Sequence, residues 1–179
     1  MPTGARSSRT RKATRRSRRA ATSSAPRGDA YDVAVRYLGP RPRSVAEITR
    51  HLRSKRFDDA AIDKAIDTLR AQRYLDDETF ARYWVEQRDE HRPRGERAIV
   101  SELMQKGVAR EVIEVVLGER EPDADVKRAR EAIRRPITRW QAMDEAERKR
   151  KIHQYLAQRG FSYDVIEEVV EHPVEESTE

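Results

Sequence analysis

The sequence predicts an all-α protein built from three tandem three-helix repeats, preceded by a disordered basic N-terminal tail. Three observations support this prediction: a short motif recurs three times, each copy has the apolar spacing of amphipathic helices, and no stretch alternates as a strand would. The composition agrees, because 39% of the 179 residues are charged and only 36% are hydrophobic. Such a chain suits thin helical units, which are marginally stable alone. We therefore expect neighbouring repeats to pack into an elongated, curved array.

The N-terminal tail, residues 1–28, is the most basic part of the chain. It holds nine of the 38 Lys and Arg residues and no acidic residue, which leaves 29 basic against 32 acidic residues in the rest. With almost no large apolar side chain, the tail cannot offset the entropy cost of ordering its backbone, and we expect it to be disordered. It is either a nucleic-acid-binding segment or a solubilising extension. The nucleic-acid candidates are Arg6, Arg9, Arg11, Lys12, Arg15, Arg16, Arg18 and Arg19.

The recurring motif joins two helices through a tight turn. It begins at Leu52, recurs at offsets of 51 and 53 residues, and has an Ile four residues before each Leu, which extends one helical stripe. Gly107 and Gly160 stand where the first helix of the motif ends and a left-handed backbone is favoured, whereas the first copy has Arg56 there. A side chain in that geometry costs roughly 1 kcal/mol, so we expect the first turn either to bear this cost or to differ.

Each copy also has an upstream amphipathic stretch, so each module is predicted to contain three helices and the chain about nine. Capping signals precede the middle helices of copies one and three, at Ser44-x-x-Glu47 and Asp144-x-x-Glu147. Pro136 is expected to end the first helix of the third module and to be followed by an irregular stretch. The predicted boundaries are 1–28 for the tail, 29–75, 76–120 and 121–172 for the repeats, and 173–179 for an acidic C-terminal end.

The residue types of an active site are largely missing. There is no cysteine, which excludes disulfides and thiolate chemistry, and the four histidines lack the spacing of a zinc motif. No glycine-rich phosphate loop or GxSxG motif is present. The adjacent carboxylates precede a helical stretch, so Asp76 is interpreted as an N-cap and Asp77 as facing the positive end of that helix. The sequence thus predicts a binding protein without catalytic residues, cofactor or metal, and, lacking a long apolar run or signal peptide, a soluble cytoplasmic one.

Two groups of basic residues are candidate partner contacts. The first surrounds a helix junction of the second module and consists of Arg88, Arg92, Arg94 and Arg97. The second precedes the turn once per module and consists of Lys55, Lys106 and Arg159. If the modules stack regularly, the second group lines one edge and suits a phosphate backbone or an acidic protein groove, unless these cations merely favour helix C-termini. Of the two tryptophans, Trp84 is expected in the core, whereas Trp140 packs between modules or is exposed to a partner.

Four segments form an ordered series that is specific when the segments are taken together. They are Ser44-Val-Ala-Glu47-Ile-x-x-x-Leu52, Tyr74-Leu-Asp-Asp77-x-x-Phe80-Ala81, Gly95 with Glu102-Leu-x-x-Lys106-Gly107-Val108, and Tyr155-Leu-x-x-Arg159-Gly160-Phe161-Ser162. Over about residues 30–171 this series resembles the RecX family, bacterial modulators of the RecA recombinase. Residues 1–28 lie outside the resemblance.

The resemblance implies tandem three-helix repeats, no catalytic activity, and binding in the groove of the RecA filament on single-stranded DNA. It further implies that RecA's ATPase, strand-exchange and coprotease activities are restrained, with a role in recombination, DNA repair and the SOS response, and that some members contact DNA directly. From the capped ends of the repeat array we expect a monomer, without membrane contact. A different class of function stays open from the residues: a DNA-binding architectural protein that acts through the Arg-rich tail, or, more weakly, an adaptor for another protein.

Overall fold

The structure, a computed structural model, describes residues 28–121 and 123–173, which contain ten α-helices and no β-strand. The all-α prediction is confirmed. The predicted disorder of the tail and its nucleic-acid candidates fall on residues outside this description, as does nearly all of the acidic C-terminal end. The helices form three sets in chain order, and the helices of each set pack mainly on one another.

Module 1 contains α1 (Ala30–Leu38), α2 (Val45–Ser54) and α3 (Asp59–Ala71). Ile48 and Leu52 of α2 are fully buried, as the spacing of the apolar stripe predicts. They pack with apolar side chains of α1 and α3 in a core whose buried residues all lie between positions 30 and 75.

Module 2 repeats this arrangement with α4 (Asp77–His91), α5 (Glu96–Gln105) and α6 (Arg110–Gly118). Ile99 and Leu103 of α5 are fully buried, at the motif positions that Ile48 and Leu52 hold in module 1. The buried residues of this core lie between positions 80 and 116.

Module 3 contains α7 (Ala124–Ile133), α8 (Ile137–Trp140), α9 (Glu145–Ala157) and α10 (Tyr163–Glu171). The short α8 replaces the predicted irregular stretch and brings the helices of the described residues to ten. Pro136 precedes it with a φ of −63°, a value that suits the first turn of a helix, so this proline starts a helix as well as following one. The buried core lies between positions 129 and 169.

The predicted helix caps are confirmed at the N-termini of the middle helices. The Ser44 hydroxyl accepts a hydrogen bond from the Glu47 N–H (3.1 Å), and the Glu47 carboxylate accepts one from the Ser44 N–H (3.4 Å), which completes a capping box. Asp144 caps α9 by accepting from the Glu147 N–H at 2.8 Å. Asp76 caps α4 by accepting from a backbone N–H of its first turn. These four side chains fix where the helices begin.

The turn of the motif is left-handed in all three modules. Gly107 and Gly160 both have a φ of 81°, and Arg56 has a φ of 67°. The first turn therefore keeps the geometry of the other two although it holds a side chain. Arg56 is exposed, so its side chain meets no obstacle there.

The two glycines are needed for a second reason, which is the close approach of the preceding module. A Cβ added to Gly107 would lie 2.3 Å from the Cβ of Ala46, at the start of α2. A Cβ added to Gly160 would lie 2.6 Å from the Cβ of Ala98, at the start of α5. The turn of each later module thus packs on the N-terminus of the middle helix before it.

Backbone carbonyls of these turns hold the junctions together. The Ser44 hydroxyl donates to the carbonyl of Lys106 at 2.6 Å. At the next junction, the backbone N–H of Gly95 donates to the carbonyl of Arg159 at 3.0 Å. The carbonyl of the basic residue before the motif glycine therefore accepts a hydrogen bond at the N-terminus of α2 in one junction and of α5 in the other.

A carboxylate from the first helix of each later module completes the junction. Asp77 accepts a hydrogen bond from the N–H of Val45 at 2.9 Å, and Asp125 accepts one from the N–H of Glu96 at 3.3 Å. Asp77 lies in the first turn of its own helix, as predicted, and its side chain also reaches the N-terminus of α2 in the neighbouring module. Three separate apolar cores are thus joined by contacts that are largely polar.

Candidate binding clefts at the module junctions

Each junction carries a cleft, and the two clefts occupy corresponding positions. The first cleft, of about 640 Å³, lies between modules 1 and 2 and is lined among others by Glu47, Trp84, Arg88, Glu102 and Lys106. The second cleft, of about 510 Å³, lies between modules 2 and 3 and is lined among others by Arg92, Arg94, Arg135, Tyr155 and Arg159. Both clefts use the basic residue that precedes the glycine of the motif, which is Lys106 in the first cleft and Arg159 in the second. Both also use the helix position four residues earlier, which is Glu102 in the first and Tyr155 in the second.

Two of the three Lys and Arg residues that line the first cleft are paired with acids. The Lys106 ammonium lies 3.0 Å from the Glu47 carboxylate, and the Arg88 guanidinium donates to the Glu102 carboxylate at 2.6 Å. Burial alone would raise the pKa of Glu47, but the hydrogen bond and charge of Lys106, together with Arg41, hold it below its ordinary value. The third cation, Arg50, is exposed and has no ion-pair partner among the described residues, so the lining holds three cations against two carboxylates.

Trp84 forms the wall of the first cleft, and its predicted place in the core is wrong. It is only partly buried and packs against the core from outside. The guanidinium carbon of Arg88 lies 4.3 Å from its ring centroid and the ammonium of Lys106 lies 4.6 Å away, both cation–π contacts. Its indole N–H donates to Glu102 at 2.9 Å. The ring thus holds two of the predicted contact residues in place.

The cations of the second cleft have few acidic partners. Arg92 and Arg135 are exposed and form no ion pair with any described residue, and Arg94 lies 3.9 Å from Glu102. The Arg159 guanidinium lies over the ring of Tyr155, with 3.6 Å between its carbon and the ring centroid. Among the described residues, the second cleft therefore has three cations without an ion-pair partner, Arg92, Arg135 and Arg159, whereas the first has one, Arg50.

Two acids, Glu90 and Glu131, also line the second cleft. Glu131 pairs with Arg134 at 3.2 Å, and Glu90 lies 3.7 Å from the ring nitrogen of His91. Neither acid forms an ion pair with Arg92, Arg94, Arg135 or Arg159 within the described part of the chain. With four arginines against these two glutamates, the lining keeps a net positive charge.

The structure divides the seven predicted contact residues among three places. Arg88 and Lys106 lie in the first cleft, whereas Arg92, Arg94 and Arg159 lie in the second. Lys55 and Arg97 lie in neither: Lys55 is exposed at the turn of module 1, and Arg97 is exposed on α5. Whether any of them contacts a partner stays a prediction.

Sequence reasoning missed Arg135, Tyr155 and an ionic network beside the second cleft. In this network, buried Arg128 of α7 pairs with Asp125 and, at 3.1 Å, with Asp89 of α4, while Arg120 lies 3.3 Å from Asp89. The signal for Tyr155 and Arg135 was present only as basic and aromatic residues in module 3. The second cleft brings together residues at the ends of α4, α7 and α9, which are far apart in sequence.

Two further features bear on function. Within 28–121 and 123–173, no three His, Asp or Glu side chains converge in a way that could hold a metal ion. Among the helices described, none combines the length and the apolar character that a bilayer crossing requires.

Trp140, whose location the sequence left open, packs on the core of its own module and not between modules. Its ring stands edge-on to Tyr155, with 5.4 Å between the centroids. It therefore lies behind a side chain that lines the second cleft.

Comparison with known proteins gives matches across all three modules. Family models described as the first, second and third three-helix domains of RecX match residues 30–69, 76–117 and 123–170. The regulatory protein RecX of Chlorobium phaeobacteroides is 32% identical over 143 residues, which are 79% of this chain and 91% of that protein. The regulatory protein RecX of Geobacillus thermodenitrificans is 36% identical over 137 residues, 76% of this chain and 51% of that longer protein.

A solved structure shares the fold. The crystal structure of RecX from Lactobacillus salivarius superposes with a TM-score of 0.73, covers 80% of this chain and 94% of that one, and is 24% identical in sequence. The arrangement of three-helix modules is therefore common to both proteins.

Proposed function

We propose that this chain, which belongs to the RecX family, binds the RecA filament on single-stranded DNA and restrains RecA's ATPase, strand-exchange and coprotease activities. In this proposal it is a non-enzymatic, monomeric regulator in the cytoplasm, and it acts in recombination, DNA repair and the SOS response. The observation that carries the proposal is the family match over all three modules, together with relatives that are named as regulatory proteins.

The repeated junctions supply a physical basis for binding a filament. Each junction presents a cleft built on the same position of the motif, so the clefts follow one another along the array. A filament also repeats its surface from one subunit to the next. Several weak contacts between two periodic surfaces raise the overall affinity far above that of any one contact.

The decisive measurement is DNA-dependent ATP hydrolysis by RecA with substoichiometric amounts of this protein. We expect inhibition well below one molecule per RecA subunit, because a bound regulator that halts filament growth affects many subunits. Co-sedimentation with preformed filaments tests binding separately. Unchanged hydrolysis together with no co-sedimentation would refute the proposal.

Matched charge variants make the test specific. Arg92→Glu with Arg94→Glu reverses two charges at the second cleft. The control pair, Lys64→Glu with Lys127→Glu, makes the same change in net charge at exposed positions outside both clefts. If both pairs weaken filament binding equally, the effect is one of net charge and the cleft has no special part in it.

The second function class, DNA binding through the Arg-rich tail, is favoured by the composition of residues 1–28. Deletion of residues 1–28 separates the two functions. Full RecA inhibition by the shortened chain makes the tail accessory. If inhibition and DNA affinity disappear together, DNA binding through the tail is the primary activity.

A further inference from the structure

The two clefts differ at two motif positions that hold acids in the first cleft and uncharged residues in the second. Aligned on the motif, Glu47 corresponds to Ala98 and Glu102 corresponds to Tyr155. Glu47 is the partner of Lys106 in the first cleft, and Ala98 gives Arg159 no such partner in the second. The same junction geometry therefore carries two acid-paired cations and one unpaired cation in the first cleft, but three guanidinium groups without an ion-pair partner among the described residues in the second.

One guanidinium group of the second cleft, that of Arg159, is also held in place. The Arg159 guanidinium lies over the Tyr155 ring, and Tyr155 is itself in edge-on contact with Trp140. Pro93 and Pro136 line the same cleft and stiffen the backbone beside Arg92 and Arg135. A planar group that is already fixed loses little side-chain entropy when it binds an anion.

We propose that the second cleft binds the sugar–phosphate backbone of single-stranded nucleic acid through Arg92, Arg94, Arg135 and Arg159. A strand supplies one phosphate per nucleotide, so a single ligand offers an anion to each guanidinium in turn. Guanidinium groups next to an aromatic and proline-lined wall suit the alternation of phosphate with sugar and base along a strand. A folded protein partner would instead need a rigid surface that places a carboxylate opposite each of the four guanidinium groups.

This inference deepens the proposed function, since a filament on single-stranded DNA offers both protein and nucleic acid. It rests on that function only for its biological setting. Its test contains no RecA, so failure of the cleft and failure of filament binding are distinguishable.

Trp140 provides a fluorescent reporter next to the second cleft, because it contacts Tyr155 of the cleft lining. The chain has two tryptophans, so Trp84→Phe leaves Trp140, behind Tyr155, as the single indole. We expect titration of the full chain with a short oligothymidylate to change the fluorescence of Trp140 saturably. Circular dichroism checks that the Trp84→Phe chain is folded.

Charge-removing variants assign the signal to the cleft. Arg92→Gln with Arg135→Gln removes two of the four cations, and Lys64→Gln with Lys127→Gln is the matched control. Loss of two phosphate contacts lowers the slope of log affinity against log salt by about 1.4, which is about 25-fold in affinity at roughly 0.1 M salt. We expect this change for the cleft pair and a much smaller one for the control pair.

Three outcomes would overturn the inference: no fluorescence change with oligothymidylate, equal effects of the cleft and control pairs, or a glutamate-rich peptide that saturates the cleft at lower concentration than the oligonucleotide. The last outcome would assign the cleft to protein carboxylates. If the Trp84→Phe chain does not fold, the guanidinium N–H signals of Arg92, Arg135 and Arg159 in NMR spectra of the unaltered chain report the same binding. Absence of shifts in those signals would equally refute it.

Discussion

Gly107→Ala tests the two requirements that the turn of module 2 places on its glycine. The φ of 81° is a left-handed conformation that costs an L-amino acid about 1–2 kcal/mol. In addition, the new Cβ would lie 2.3 Å from the Cβ of Ala46, so the start of α2 must move away. Overpacking of this kind costs about 1–3 kcal/mol. We therefore expect the free energy of unfolding to fall by about 2–5 kcal/mol.

Two matched variants divide this loss between backbone strain and crowding. Arg56→Ala should change the free energy of unfolding by less than about 0.5 kcal/mol, because Arg56 already places a side chain at a φ of 67° in an exposed turn. Ala46→Gly costs about 0.5–1 kcal/mol alone. Combined with Gly107→Ala, it removes the methyl group that the new Cβ meets. The double variant should then be about 1–3 kcal/mol more stable than the sum of the single effects predicts.

Urea denaturation followed by circular dichroism measures these differences, and amide hydrogen exchange in the first turn of α2 shows whether the loss is located at the junction. Gly107→Ala should accelerate exchange there, and Arg56→Ala should not. A loss no greater than the backbone strain, with no coupling to Ala46, would contradict the argument that close approach of the modules requires the glycine.

Two further predictions concern charge. Burial raises the pKa of Asp77 in the folded chain. The folded chain therefore binds this proton more tightly than the unfolded chain does. As a result, the contribution of Asp77 to stability declines as the pH rises from the ordinary carboxyl pKa through the raised one. Asp77→Asn should remove this decline and keep the acceptor for the Val45 N–H, which urea midpoints measured from acid to neutral pH will check. Reversing the charges of Arg92 and Arg94 together should weaken filament binding and reduce its salt dependence more than the control pair Lys64→Glu with Lys127→Glu does, as measured by sedimentation. Unchanged binding at low salt would refute the assignment of Arg92 and Arg94 as contacts.

The features predicted correctly from sequence are those that depend on neighbours along the chain. The buried stripe of Ile48 and Leu52 follows from their spacing of four residues. The caps at Ser44 and Asp144 follow from the glutamate that stands three residues after each of them. The left-handed turn at Gly107 follows from its place after a helix. Each of these is decided within one or two helical turns, so an amphipathic pattern and a capping residue carry enough information.

The features that sequence reasoning missed depend on how the modules meet. Asp77 had a plausible role at its own helix, and only the docking of module 2 shows that its carboxylate reaches Val45, 32 positions away. Trp84 fits an apolar stripe in sequence, yet Lys106 and Arg88 of its own module hold it at the cleft wall. Arg135 carries no motif at all, and its place in the second cleft follows from the packing of α7 beside α4 and α9.

The contrast between the clefts can be tested by removing one acid from the first cleft. If Glu47 is what neutralises Lys106 in the first cleft, Glu47→Gln should leave Lys106 and Arg41 unmatched while the neutral amide still occupies the capping position. One added phosphate contact corresponds to about a fivefold gain in oligonucleotide affinity at roughly 0.1 M salt. Glu114→Gln, at an exposed acid that pairs only with Arg110 in the described chain, makes the same change in net charge and should give a much smaller gain. Equal gains would mean that overall charge governs binding, whereas a gain confined to Glu47→Gln means that the junction geometry forms an anion site wherever the motif omits its acid.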